Sequence, residues 1–197
     1  MNYITRSLEK VVMEVTKEYP VVLVTGPRQV GKTTMLQKLM DGTGRNYVSL
    51  DDLTERDLAK RDPELFLQLH QPPVLIDEVQ YAPELFPYIK LAVDRGHQAG
   101  AFWLTGSQIF KLMRSVQESL TGRVVVLSMT TLSQAEISGV SAEPFSVNLE
   151  ALRRRSTERP PADIHEIFKR IYRDACHCQW RGQQQPNFLQ QLFEHLY

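Results

Sequence analysis

Cysteine is nearly absent from this chain. The 197 residues include two, Cys176 and Cys178, so no disulfide framework supports the fold. Long apolar runs are missing too. The uninterrupted ones, such as Val21–Val24 and Val124–Leu127, stop at four residues, where a membrane-spanning helix needs about 18. No membrane partner is expected. Net charge is also absent, with 23 Lys+Arg against 23 Asp+Glu, so no overall basic field draws the chain to nucleic acid or lipid. No secretory signal is visible, and a reducing cytoplasm is the expected location. What remains is ordinary for a globular protein: 42% apolar and 23% charged residues, enough apolar material for a core and too much for disorder as the main state.

The charge is unevenly spread. Residues 151–197 carry eight Lys/Arg against five Asp/Glu, a net of +3, and six of the thirteen residues 179–191 are Gln. This composition break divides the chain into a compact body over 1–140, a linker over 141–162 and a short helical or partly disordered tail over 163–197. Arg153–Arg155 beside Pro160-Pro161 reads as a solvated linker, with nucleic-acid contact as the weaker alternative. Cys176-His177-Cys178 with His165 and His195 lacks the ligand spacing of a zinc site.

Within the body, Ile4, Leu8, Val11, Val12 and Val15 recur at helical spacing, predicting an amphipathic helix that Pro20 ends. Val21–Thr25, Tyr47–Leu50, Val74–Ile76, Phe102–Thr105 and Arg123–Leu127 read as short buried strands. Helices are expected from Lys32 to a Gly42 cap, from Asp62-Pro63, over 84–94, from Ser107 to about Ser119, and at Ser133-Gln134-Ala135-Glu136, which has the capping-box pattern. Strands alternating with helices mean βαβ units, hence an α/β three-layer sandwich with a five-stranded parallel sheet. Such sheets bind ligands at the carboxyl ends of their strands.

The first strand runs into Gly26-Pro27-Arg28-Gln29-Val30-Gly31-Lys32-Thr33-Thr34, which matches G-x-x-x-x-G-K-[ST] in the required strand–turn–helix context. The glycines allow a tight turn that aims successive N–H groups at one point, and the following helix adds positive partial charge there. Lys32 is expected to reach the β- and γ-phosphates of a nucleotide and Thr33 to ligate Mg²⁺. Arg28 is left open between phosphate contact and pairing with an acidic neighbour. The third strand ends in Asp77-Glu78. Asp77 would hold the metal, and Glu78 would orient and deprotonate an attacking water. Thr105 and Ser107, at the end of the next strand, are candidates for the phosphate or the water. Arg123, at a helix-to-strand junction, reads either as an arginine finger supplied to a neighbouring subunit or as a solvated arginine.

These residues resemble those of prokaryotic AAA-type ATPases that carry a C-terminal domain of unknown function after the ATPase core. The likeness extends over about 3–172 and rests on Val24–Thr34, Ser49-Leu50-Asp51-Asp52, Asp62-Pro63, Asp77-Glu78-Val79-Gln80-Tyr81-Ala82-Pro83, Leu104–Gln108, Ser119–Arg123 and Leu132-Ser133 with Glu136. It implies an AAA+-like core with strand order 5-1-4-3-2, ATP and Mg²⁺ as ligands, the roles given above for Lys32, Thr33, Asp77 and Glu78, and Arg123 as the finger. After about residue 172 the chain departs from the family pattern, which implies a truncated or frameshifted member.

The function expected is hydrolysis of Mg-ATP to ADP and phosphate, coupled to a conformational change or to a partner, either a homo-oligomer or another protein. An ATP-gated binding module with negligible turnover is the alternative. A small-molecule P-loop kinase is third, since a kinase has no need of a water-activating Glu78.

Overall fold

The computed structural model describes residues 3–96, 98–107, 116, 118–139 and 147–158. The chain divides into two units, Met1–Glu143 and Pro144–Tyr197, and each is described by itself. The first contains α1 (Leu8–Val15), β1 (Val21–Thr25), α2 (Lys32–Met40), β2 (Asn46–Ser49), α3 (Leu53–Arg61), α4 (Pro63–Leu69), β3 (Val74–Asp77), a single 3-10 turn (Val79–Tyr81), α5 (Leu85–Gly96), β4 (Phe102–Gly106), β5 (Val124–Ser128) and α6 (Gln134–Ile137). The five strands form one parallel sheet in the order β2-β3-β4-β1-β5. This is the order the resemblance implied, read from the other edge.

Alternation along the central strands builds the layers. Val21 and Leu23 of β1, Ile76 of β3 and Leu104 of β4 face one side, where they pack with Phe66 of α4 and Phe86 and Ile89 of α5. Val22 and Val24, Leu75 and Trp103 face the other, against Val12 of α1 and Met35 and Leu36 of α2. Every residue of β1, β3 and β4 is buried, whereas the edge strands β2 and β5 are partly exposed. A continuous apolar run is what a strand covered by helices on both faces requires.

The local signals act as expected. Asp62 caps α4 by accepting from Leu65 N–H at 2.9 Å, with Pro63 at the first helical position. Glu136 Oε2 accepts from Ser133 N–H at 2.7 Å, and Ser133 Oγ accepts from Glu136 N–H at 3.2 Å, which closes the capping box. Gly42 follows α2 at φ 75°, the left-handed cap.

Helix α3 is one that hydrophobic periodicity missed, because Leu53–Arg61 is mostly polar. Asp52 starts it by accepting from Thr54 N–H at 2.7 Å and Glu55 N–H at 3.3 Å. In the second unit, α7 (Leu149–Glu158) lies inside the stretch read as linker. Asn148 Oδ1 begins it by accepting from Glu150 N–H at 2.9 Å. Leu, Glu, Ala and Arg are good helix formers, a preference masked in the sequence by the neighbouring prolines. Most of the helix expected from Ser107, and all of the tail over 163–197 with its cysteines, lie outside the described residues.

Candidate functional site

The strand register brings Thr25 of β1 level with Gly106 of β4, and Ser49 of β2 level with Asp77 of β3. The glycine-containing loop after β1 and the acidic pair therefore leave the sheet at the same edge. The loop's shape depends on residues in the left-handed region: Gly26 at φ 148°, Gln29 at φ 65° and Gly31 at φ 92°. At Gly26 a Cβ would also stand 2.0 Å from Met129 O, so the loop turns where only glycine fits. Val30 is buried in the core face shared with Met35 and Met129, anchoring an otherwise exposed loop. Pro27, Arg28, Gln29 and Thr34 are exposed.

Lys32 opens α2 and is 5% exposed. Its Nζ donates to Gly26 O at 3.0 Å and Pro27 O at 2.8 Å, folding the ammonium back across the loop. Burial pushes this ammonium below the ordinary lysine range, against the pull of Glu78 and Asp77, while the charge of Arg28 acts in the same direction as burial. At the next position of the helix, Thr33 Oγ1 donates to Asp77 Oδ1 at 2.7 Å. Hydroxyl and carboxylate oxygens are the hard donors that Mg²⁺ prefers, and Asp77 is 5% exposed with no Lys or Arg bonded to it among the described residues. This donor set fits the metal.

Thr105, fully buried, ties the two acids together. Its Oγ1 donates to Asp77 Oδ1 and accepts from Glu78 N–H at 3.0 Å. Glu78 sits at φ 56°, a left-handed conformation uncommon for a side-chain-bearing residue and characteristic of functional strand ends. Its Oε2 receives Ser107 Oγ at 3.3 Å and the amide of Gln80. Tyr47 on the edge strand β2 donates its hydroxyl to Asp77 Oδ2 at 3.3 Å. Arg28 Nη2 donates to Tyr81 OH at 3.0 Å, a partner that is neither of the two left open by the sequence. The ring of Tyr81 carries the Arg56 guanidinium 3.9 Å from its centroid, a cation–π contact.

The structure thus brings Lys32, Thr33, Asp77, Glu78, Thr105 and Ser107 to one edge. Arg123 is not among them. It bonds Asp94 of α5 through Nε at 2.5 Å and Nη2 at 3.0 Å, and its carbonyl accepts from Val21 N–H, at the opposite edge of the sheet. Gln108 lies outside the described residues.

Sequence reasoning assigned no role to Arg6, which reaches the loop from before α1. Its guanidinium donates to Val30 O at 2.9 Å, Thr130 O at 2.7 Å and Glu136 Oε1 at 3.2 Å. The paired side chains are 6% and 8% exposed. Partners this far apart in the chain leave no local signal; the capping box and the family resemblance flagged Glu136, but not its pairing with Arg6. Burial raises the Glu136 carboxyl, but the backbone amides of Ser133 and Ser7 and the charge of Arg6 outweigh it and hold the group below its ordinary value. A lowered acid contributes stability above its unfolded value of about 4.3 and loses it as pH falls through the folded value. Glu136→Gln is therefore expected to lower stability at neutral pH and to flatten the stability–pH curve below about pH 4, read by urea denaturation across pH 2.5–7. A slope there equal to wild type would contradict the assignment.

A family model described as an AAA domain matches residues 18–138. Two curated relatives, uncharacterized proteins of Mycobacterium bovis and Mycobacterium tuberculosis, are each 36% identical over 125 residues, which cover 63% of this chain and 28% of theirs. The chain thus spans less than a third of the length of the curated relatives it matches. Among solved structures, a Walker-type ATPase of Pyrococcus abyssi superposes with a TM-score of 0.51 at 18% identity, over 87% of this chain and 63% of that one; at that identity the likeness is one of fold. Among the described residues no helix is long and apolar enough to cross a membrane. Since that model matches more than half of the chain, the chain belongs to the AAA-domain family.

Proposed function

We propose that this domain binds Mg-ATP and hydrolyses it to ADP and phosphate. The observation that carries the reading is the convergence of Lys32, Thr33, Asp77 and Glu78 at the carboxyl edge of β1 and β3, joined through the Thr33–Asp77 hydrogen bond of 2.7 Å. The loop amides and Lys32 hold the phosphates. Thr33 and Asp77 would hold Mg²⁺, which would supply neutralisation of phosphate charge. Glu78 accepts a proton from water as the water oxygen bonds to the γ-phosphorus. The bridging P–O bond breaks, and its electron pair leaves with ADP. Thr105 keeps the two acids in fixed relation. The test is phosphate release by the purified chain with ATP and Mg²⁺, with and without excess EDTA. Release that EDTA abolishes supports the reading; no release overturns the hydrolytic part.

A second reading is favoured by one feature. Arg123 is engaged by Asp94 at the far edge of the sheet, and a finger arginine is worth about 10³–10⁵ in rate. An isolated protomer would then act as a slow, ATP-gated module, with turnover rising when a neighbouring copy supplies its arginine. Mass measurement with and without ATP, alongside the rate as a function of protein concentration, separates the two.

A further inference from the structure

We infer that Gln80 is a positioning residue that sets the carboxylate of Glu78; the inference rests on the hydrolytic reading above. Three observations converge on it. The left-handed backbone at Glu78 leads directly into the 3-10 turn Val79–Tyr81, and Val79 is fully buried, so the core pins the turn and returns Gln80 over the carboxylate two residues before it. Gln80 Nε2 then donates to Glu78 Oε2 and, at 3.2 Å, to Ser107 Oγ, while Ser107 Oγ donates to the same Oε2 at 3.3 Å. Both donors fall on one oxygen, which leaves Oε1 to take the proton from water. Finally, Gln80 Oε1 is buried and meets no hydrogen-bond donor among the described residues, a condition folded proteins seldom tolerate. The reverse amide orientation would set that oxygen against Glu78 Oε2, two acceptors in contact. Holding Glu78 therefore decides which way the amide faces.

The terminal torsion of a glutamate is broad and two-fold, so an unrestrained Glu78 would present its oxygens to water in varying directions. A misplacement of about 1 Å at a reacting group costs about 100-fold in rate. Gln80, from the turn after β3, and Ser107, just past β4, remove that freedom by donating to the same oxygen.

The test compares wild type, Gln80→Leu, Gln80→Glu and Glu78→Gln by steady-state phosphate release with Mg-ATP, with nucleotide affinity and melting temperature measured on the same samples. Gln80→Leu removes the donor and keeps the bulk. Gln80→Glu keeps the shape and sets a like charge against the carboxylate, so it serves if the leucine variant does not fold. Each is expected to lower kcat about 10–100-fold, with ATP affinity and KM within twofold of wild type, and to cause no further loss when combined with Glu78→Gln. Unchanged kcat in the folded variants overturns the inference. So does a rise in kcat, which would make the amide an inhibitory latch, and so does a parallel loss of nucleotide affinity, which would make its role structural. Hydrolysis by Glu78→Gln at the wild-type rate sinks the general-base reading instead. An inert Glu78→Gln beside a normal Gln80→Leu removes this inference alone. A wild-type chain that releases no phosphate overturns both.

Discussion

Lys32→Ala is expected to weaken Mg-ATP binding by at least about 100-fold, because hydrogen bonds from a charged group contribute about 1.5–3 kcal/mol each and a tenfold change in affinity is about 1.4 kcal/mol. The reason lies in the ammonium's surroundings. It is 5% exposed, and burial pushes it below the ordinary lysine range, so in the free protein it is a costly charge. Its hydrogen bonds to Gly26 O and Pro27 O offset part of that cost, and a phosphate would offset more. Alanine removes the charge from the end of α2 and also the brace across the loop. Titration calorimetry with Mg-ATP measures the loss, with the melting temperature as control. Affinity within threefold of wild type would take Lys32 out of the phosphate site.

Glu78→Gln is expected to retain ATP while lowering kcat by about 10²–10⁴-fold, the usual contribution of a general base. The amide is nearly the same shape as the carboxylate and cannot accept the water's proton. The Glu78 N–H to Thr105 bond is made by the backbone and survives the change, so the acidic strand end keeps its geometry. Single-turnover phosphate release, read beside ATP retention on a desalting column, separates chemistry from binding. Equal rates in variant and wild type would remove Glu78 from the role.

The parts that were legible in the sequence are those whose physics is local. The runs Val21–Thr25 and Val74–Ile76 read as buried strands because both faces of a central parallel strand meet helices, and they form β1 and most of β3. Asp62-Pro63 and Ser133 with Glu136 read as helix starts because a cap is a contact between residues three apart. The turn at Gly26 and Gly31 was legible because glycine is needed where φ turns positive. Helix α3 was missed because its stability comes from packing Ala59 into the core and from the Asp52 cap rather than from a broad apolar face. Helix α7 was missed because adjacent prolines outweighed a favourable composition.

The candidate site was legible one residue at a time, and its connections were not. Arg123 could be named from its place before a strand, but that it grips Asp94 at the edge opposite the phosphate loop follows only from how α5 and β5 lie. Thr105 could be named from the end of β4, yet its single hydroxyl serving both Asp77 and Glu78 depends on β3 and β4 being neighbours. Arg6 reaches the loop at Val30 O and pairs with Glu136 from the other end of the domain, a pairing with no local signature. By itself the sequence determined which backbone turns are possible and which chemical groups stand at strand ends, since these depend on residues a few positions apart. Only the tertiary structure decided which of those groups meet, because hydrogen bonds form between atoms about 3 Å apart however far separated they are along the chain.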